Sequence, residues 1–105
     1  MLPLPSAATL QDLQRYVSEM EKERGFADRS AVDQCLLLGE EVGELFKAVR
    51  KHERLSVEAT SIVGTVDEEL ADILIFVCAV ANRYGIDLDD ALRRKEAHNE
   101  QRVWA

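Results

Sequence analysis

Four times along this chain a residue able to cap a helix is followed three positions later by an acid: Thr9 and Asp12, Ser30 and Asp33, Thr65 and Glu68, Asp87 and Asp90. In such a pair the first side chain accepts from a backbone N–H of the opening turn while the acid reaches back, so each pair marks a helix N-terminus. The segments that follow carry apolar residues at helical spacing. Leu10, Leu13, Val17 and Met20 form the stripe of the first, and Cys35, Leu38, Val42, Leu45 and Val49 that of the second. Gly25 and Gly85 are natural stops, and the only prolines, Pro3 and Pro5, precede the first cap.

The pattern predicts an all-α, four-helix subunit. Helix one runs from Leu10 to Arg24, helix two opens at Ser30 and frays into the basic run Arg50 to Arg54, helix three ends near Tyr84, and helix four covers Leu88 to Gln101. Leu55 to Gly64 has no period and reads as a connection. With no repeat or composition shift, residues 1–105 read as one domain behind a flexible leader of residues 1–8.

A chain of 105 residues has a thin core. Yet the centre of helix three, with Leu70, Ile73, Leu74, Ile75, Phe76, Val77 and Val80, is apolar on nearly every face, as in a helix surrounded by protein. Three neighbours can hardly surround it. A homo-oligomer, dimer or tetramer, is therefore expected, with helix three or its neighbour packed across a symmetry axis.

Charge narrows the partners. A formal net charge of −7 argues against a nucleic-acid backbone, which calls for clustered Lys and Arg. The longest apolar stretch, Ile73 to Ala81, is too short to span a bilayer, and Met1 to Pro5 lacks the features of a signal peptide, so a cytoplasmic address away from membranes is expected. Cys35 and Cys78 sit among apolar neighbours and read as buried thiols.

The chemistry lies in the acids that interrupt the apolar stripes. Helix two holds Glu40, Glu41 and Glu44, and helix three holds Glu69 and Asp72, so each supplies a pair three residues apart on one face. Glu41 and Glu44 share their stripe with Leu37 and Ala48; Glu69 and Asp72 share theirs with Ile73, Phe76 and Ala79. Carboxylates so placed lose hydration and repel one another unless a cation sits among them. Oxygen-only donors favour magnesium, manganese or calcium, and magnesium keeps waters and substrate phosphates in its shell. His52 and His98 do not occupy the Glu-x-x-His positions of a di-iron bundle. The competing reading is a solvated acidic surface, with Lys47 one turn beyond Glu44 as its partner. No Ser-His-Asp or Cys-His arrangement and no Gly-rich phosphate loop offers another route to catalysis.

The run Glu40-Glu41-Val42-Gly43-Glu44-Leu45, followed by Glu69-Leu70-Ala71-Asp72-Ile73-Leu74, resembles the EExxE and ExxD signature of MazG-like pyrophosphohydrolases. The likeness extends from Gly25 to Arg102, and the superfamily includes all-α dUTPases, dCTP pyrophosphatases and phosphoribosyl-ATP pyrophosphohydrolase. It implies magnesium-dependent hydrolysis of a (deoxy)nucleoside triphosphate to the monophosphate and pyrophosphate, with manganese able to substitute and nucleotide-pool cleaning as the role. It places the metal on Glu41, Glu44, Glu69 and Asp72 and makes Glu40 the candidate to orient or deprotonate the attacking water. Lys95, Asn99 and Arg102, one polar stripe of helix four, match the residues that often close the family and would grip phosphate or sugar. Lys47 would meet the triphosphate tail, and Phe26, after Gly25, matches an aromatic placed near the base. Trp104 stands where many relatives have Tyr. The alternatives are a phosphoribosyl-ATP pyrophosphohydrolase, less similar over Gly85 to Leu92 and the Lys95 to Arg102 ending, and a non-enzymatic helical module that binds a protein partner.

Overall fold

A computed structural model describes residues 1–56 and 62–103, which form four helices: α1 (Leu10–Arg24), α2 (Ala31–His52), α3 (Val66–Arg83) and α4 (Leu88–Glu100). Part of the Leu55 to Gly64 connection, residues 57–61, and the Trp104 position lie outside the described residues.

Three of the four caps operate. The Thr9 hydroxyl accepts from the Asp12 N–H while Asp12 accepts from the Thr9 N–H, both at 3.0 Å, a complete capping box. Ser30 accepts from the Asp33 N–H at 3.0 Å and Asp87 from the Asp90 N–H at 3.2 Å. Thr65 departs from expectation. It sits at the N-cap of α3, but its hydroxyl donates to Asp67 and, at 2.7 Å, to Glu68, and makes no side-chain cap bond. With acids at both positions, the hydroxyl proton finds stronger acceptors than its lone pairs find donors.

Gly25 closes α1 at φ +78, a left-handed conformation that costs glycine little, and its N–H returns to the Glu21 carbonyl. α2 remains helical to His52 instead of fraying. Its last turn carries Arg50, Lys51 and His52, favourable to the helix dipole, and Arg54 at φ +60 ends it with the Leu55 N–H on the Arg50 carbonyl at 2.7 Å.

α2 and α3 form an antiparallel hairpin. Ala48 and His52, late in α2, flank Gly64 and Val66 at the start of α3, whereas Gln34, early in α2, meets Ile75 and Ala79 far along α3. α1 packs on α3, and α4 packs on α1. The core is small, as the chain length requires: Val17, Met20, Cys78 and Ala79 are buried, with Leu13, Tyr16, Ile75 and Leu88 packed against them. Fully burying Val17 contributes roughly 1.5–3 kcal/mol, so this cluster carries much of a marginal stability. Gln14 ties three elements together: its amide donates to Asn82 Oδ1 at 3.0 Å and to the Ile86 carbonyl at 2.7 Å, and accepts from the Leu88 N–H at 2.9 Å.

Cys78 is buried, but Cys35 is exposed, contrary to the expectation for it. α2 carries apolar residues on two faces, and Cys35 falls with Val32 and Leu36 on the side turned away from α3. No helix among the described residues is long and apolar enough to cross a membrane.

Candidate metal centre

The antiparallel register of α2 and α3 sets the middle of the first helix against the opening turns of the second. Glu41 therefore meets Glu69 and Asp72, and carboxylate oxygens of these three lie within 4.8 Å of one another. Glu69 is buried, Glu41 half-buried and Asp72 exposed, so the group forms a shallow well with one side open. Gly64 abuts it: a Cβ there would collide with Glu69 Oε1 and come to 3.3 Å from its carboxyl carbon. The absence of a side chain at Gly64 thus leaves the Glu69 carboxylate room to turn toward Glu41.

The electrostatics of the trio are unbalanced. Glu41 is pushed above the usual carboxylate range, first by burial, then by a hydrogen bond with Glu69, then by the charges of Asp72, Glu69 and Glu44. Among the described residues, every charge acting on it is acidic. All the donors are oxygen, and their spacing suits one small hard cation or more, so the residues fit a magnesium or manganese site.

The other residues singled out from the sequence fall at varied distances from this well. Glu44 lies outside the trio, with Lys47 Nζ 3.6 Å from its Oε1, although its charge reaches Glu41. Glu40, next to Glu41 in α2, is exposed and is not a member of the trio. Lys95, Asn99 and Arg102 belong to α4 and its C-terminal end, an element docked on α1, and the Asn99 amide donates to Glu96 at 3.0 Å within its own helix. Among the described residues α4 packs on α1, and the acids of the trio belong to α2 and α3.

Phe26 is half-buried in the α1–α2 loop, with the Arg29 guanidinium 4.2 Å from its ring centroid. It lines a cavity of about 150 Å³ together with Gln34, Ile75, Phe76 and Asp72. Asp72 also belongs to the acidic trio, so cavity and well share a wall.

The group that shapes this cavity is not among the residues expected from the sequence. Glu21 of α1 and Arg83 of α3 form an ion pair with side chains only 6% and 14% exposed. Arg83 binds both Glu21 carboxylate oxygens and donates to the carbonyls of Phe26 at 3.1 Å and Arg29 at 2.7 Å. It thereby pins the loop that presents Phe26. The signal for Glu21 was present, since it follows Val17 by one helical turn on the buried face, but Arg83 is 62 residues away and no local pattern links them.

An antiparallel helical hairpin thus holds three convergent carboxylates, able to share a divalent cation, next to an aromatic-lined cavity. Residues 30–103 match the MazG nucleotide pyrophosphohydrolase domain, and the chain belongs to that family. A dATP/dGTP diphosphohydrolase of Salmonella phage PMBT28 is 32% identical over 99 residues, covering 94% of this chain and 29% of the phage protein. A dATP/dGTP diphosphohydrolase of cyanophage S-2L is 36% identical over 66 residues, covering 63% of this chain and 50% of that protein. The chain therefore spans half or less of the length of these two curated relatives. Among solved structures, the cyanophage S-2L MazG-like pyrophosphohydrolase, bound to dGDP and three catalytic Mn2+ ions per active site, superposes with a TM-score of 0.72 at 28% identity. That alignment covers 96% of this chain and 87% of the other.

Proposed function

We propose that this chain hydrolyses a nucleoside triphosphate to the monophosphate and pyrophosphate, using magnesium or manganese held by Glu41, Glu69 and Asp72 with Glu44 beside them. The observation that carries the reading is the well of three mutually repelling carboxylates, in which the charges acting on Glu41 among the described residues are acidic. A divalent ion there would neutralise triphosphate oxygens and stabilise the charge that develops on departing pyrophosphate. The relatives named for dATP and dGTP and the dGDP-bound neighbour point to deoxynucleotides, and removal of unwanted ones from the pool is the role that fits.

The protein's own residues then have distinct tasks. Glu40, exposed and about 100° around the helix from Glu41, is the carboxylate assigned to orient or deprotonate the attacking water. Phe26 offers a ring edge to a base in the cavity that Asp72 shares with the well. Lys47, released from Glu44, can turn to the outer phosphates. The test is product analysis with deoxynucleoside triphosphates and magnesium. Monophosphate and pyrophosphate are expected, with Glu40→Gln slowed roughly 10²- to 10⁴-fold while still binding metal. Diphosphate and orthophosphate as primary products would contradict the reading.

The same proposal includes a homo-oligomer. The radius of gyration, 16.3 Å, exceeds the ~13 Å of a compact 100-residue domain. Leu36 and Phe46 of α2 are 66% and 63% exposed, and Leu70 and Leu74 of α3 about half exposed, so both helices keep apolar surface that a second copy would cover. In an assembly, the Lys95–Asn99–Arg102 stripe has a second route to the acidic well, that of a neighbouring subunit. Light scattering at micromolar concentration should give a multiple of 11.8 kDa; a monomer mass would remove this part of the reading.

A further inference from the structure

Gln34 is 2% exposed, one of the most deeply buried side chains in the protein, and it lines the cavity that adjoins the acidic well. Its Nε2 donates to Glu21 Oε2 at 3.2 Å. Glu21 is the ion-paired partner of Arg83, and a carboxylate so engaged accepts hydrogen bonds and offers none. The orientation of the Gln34 amide is therefore decided by chemistry: the NH2 group must face Glu21, and the carbonyl oxygen must face elsewhere. That oxygen, Oε1, is buried and has no hydrogen-bond partner among the described residues. A buried acceptor left unpaired is costly, so the arrangement calls for a donor supplied from outside the chain.

The rest of the cavity narrows what that donor is. Its volume, about 150 Å³, is of the size that holds an aromatic ring. Phe26, Ile75 and Phe76 give it apolar walls, and Asp72 joins it to the well where phosphates would be held. A nucleotide whose phosphates sat at the well would have its base beside this cavity, which Gln34 lines.

We propose that Gln34 reads the base: its Oε1 accepts a hydrogen bond from an exocyclic amino group, and Glu21 and Arg83 hold the amide in the orientation that makes it an acceptor. The inference rests on the nucleotide reading above and adds to it a rule of selection. Bases with an amino group on the edge that enters the cavity are favoured, and counterparts with hydrogen in its place leave Oε1 unsatisfied. A buried polar group left without its partner is a strong basis for discrimination.

The test compares two pairs of substrates that differ by one amino group. One is dATP against the purine deoxyriboside triphosphate lacking the 6-amino group; the other is dGTP against dITP, which lacks the 2-amino group. In at least one pair the amino-bearing member should have kcat/KM higher by roughly 10- to 10²-fold, and Gln34→Leu should reduce the ratio to within about 3-fold. Equal kcat/KM within both pairs for the unaltered protein, or full discrimination retained by Gln34→Leu, would overturn the proposal. The comparison in the unaltered protein stands even if the variant fails to fold. Calorimetric binding of the corresponding monophosphates, with magnesium present, separates this inference from the reaction itself. Selective binding without hydrolysis would sustain Gln34 as reader and refute the pyrophosphohydrolase reading; hydrolysis of both members of each pair at equal efficiency would do the reverse.

Discussion

Two groups of acids lie on the inner faces of these helices, and they are resolved in opposite ways. Glu21, on α1, meets a guanidinium fork and an amide, so its charge is balanced within the chain and it joins α1, α3 and the α1–α2 loop. Glu41, Glu69 and Asp72 meet one another, with Glu44 adding to the repulsion, and among the described residues no positive charge acts on Glu41. The difference teaches that an acid in an apolar stripe is not by itself a sign of function. Its partner decides. Where the chain supplies the counter-charge the acid is a structural tie, and where it supplies more acid the repulsion is relieved by a proton or by a bound cation.

The largest effect that can break this contrast is expected at the balanced group. Arg83→Ala leaves Glu21 buried without its partner and releases the loop carbonyls of Phe26 and Arg29, and should cost about 3–5 kcal/mol in urea unfolding. A loss below about 1 kcal/mol would mean that the pair is not the tie described here.

At the unbalanced group the sign should reverse. Glu41→Gln in metal-free protein removes one charge from the repelling trio and should raise the melting temperature, by up to about 1 kcal/mol of stability. The pH dependence follows from the same cause. The folded state raises the Glu41 carboxyl above its unfolded value and so holds its proton more firmly; this contribution is present at low pH and is lost as pH rises from the usual carboxylate range through the raised value. Metal-free protein should therefore lose some stability across that window, and Glu41→Gln should flatten the slope.

How much of this was legible in the sequence depended on the range of the interaction. The bounds of α1 could be read because Thr9, Asp12 and Gly25 act within one turn of the helix ends. The meeting of Glu41 with Glu69 and Asp72 could be read because two acid pairs on consecutive helices become neighbours once those helices run antiparallel. Thr65 misled because two acids compete for its hydroxyl, a competition that the capping pattern alone does not reveal. Cys35 misled because α2 has apolar residues on two faces, and periodicity does not say which one meets α3. The Glu21–Arg83–Gln34 group was invisible because it joins three elements across 62 residues, and the docking of α4 on α1 is likewise a tertiary choice with no local sign.

The most direct test of the central claim is a calorimetric magnesium titration of the unaltered protein and of Glu69→Gln, with thermal melts at the same metal concentrations. The unaltered protein should bind magnesium and gain stability as its concentration rises, because only the folded state assembles the three carboxylates. Glu69→Gln, folded but short of one charged ligand at the buried side of the well, should lose both the binding heat and the metal-dependent rise in melting temperature. Equal magnesium binding by the two proteins, or no binding by either, would contradict the claim that this well is the metal site.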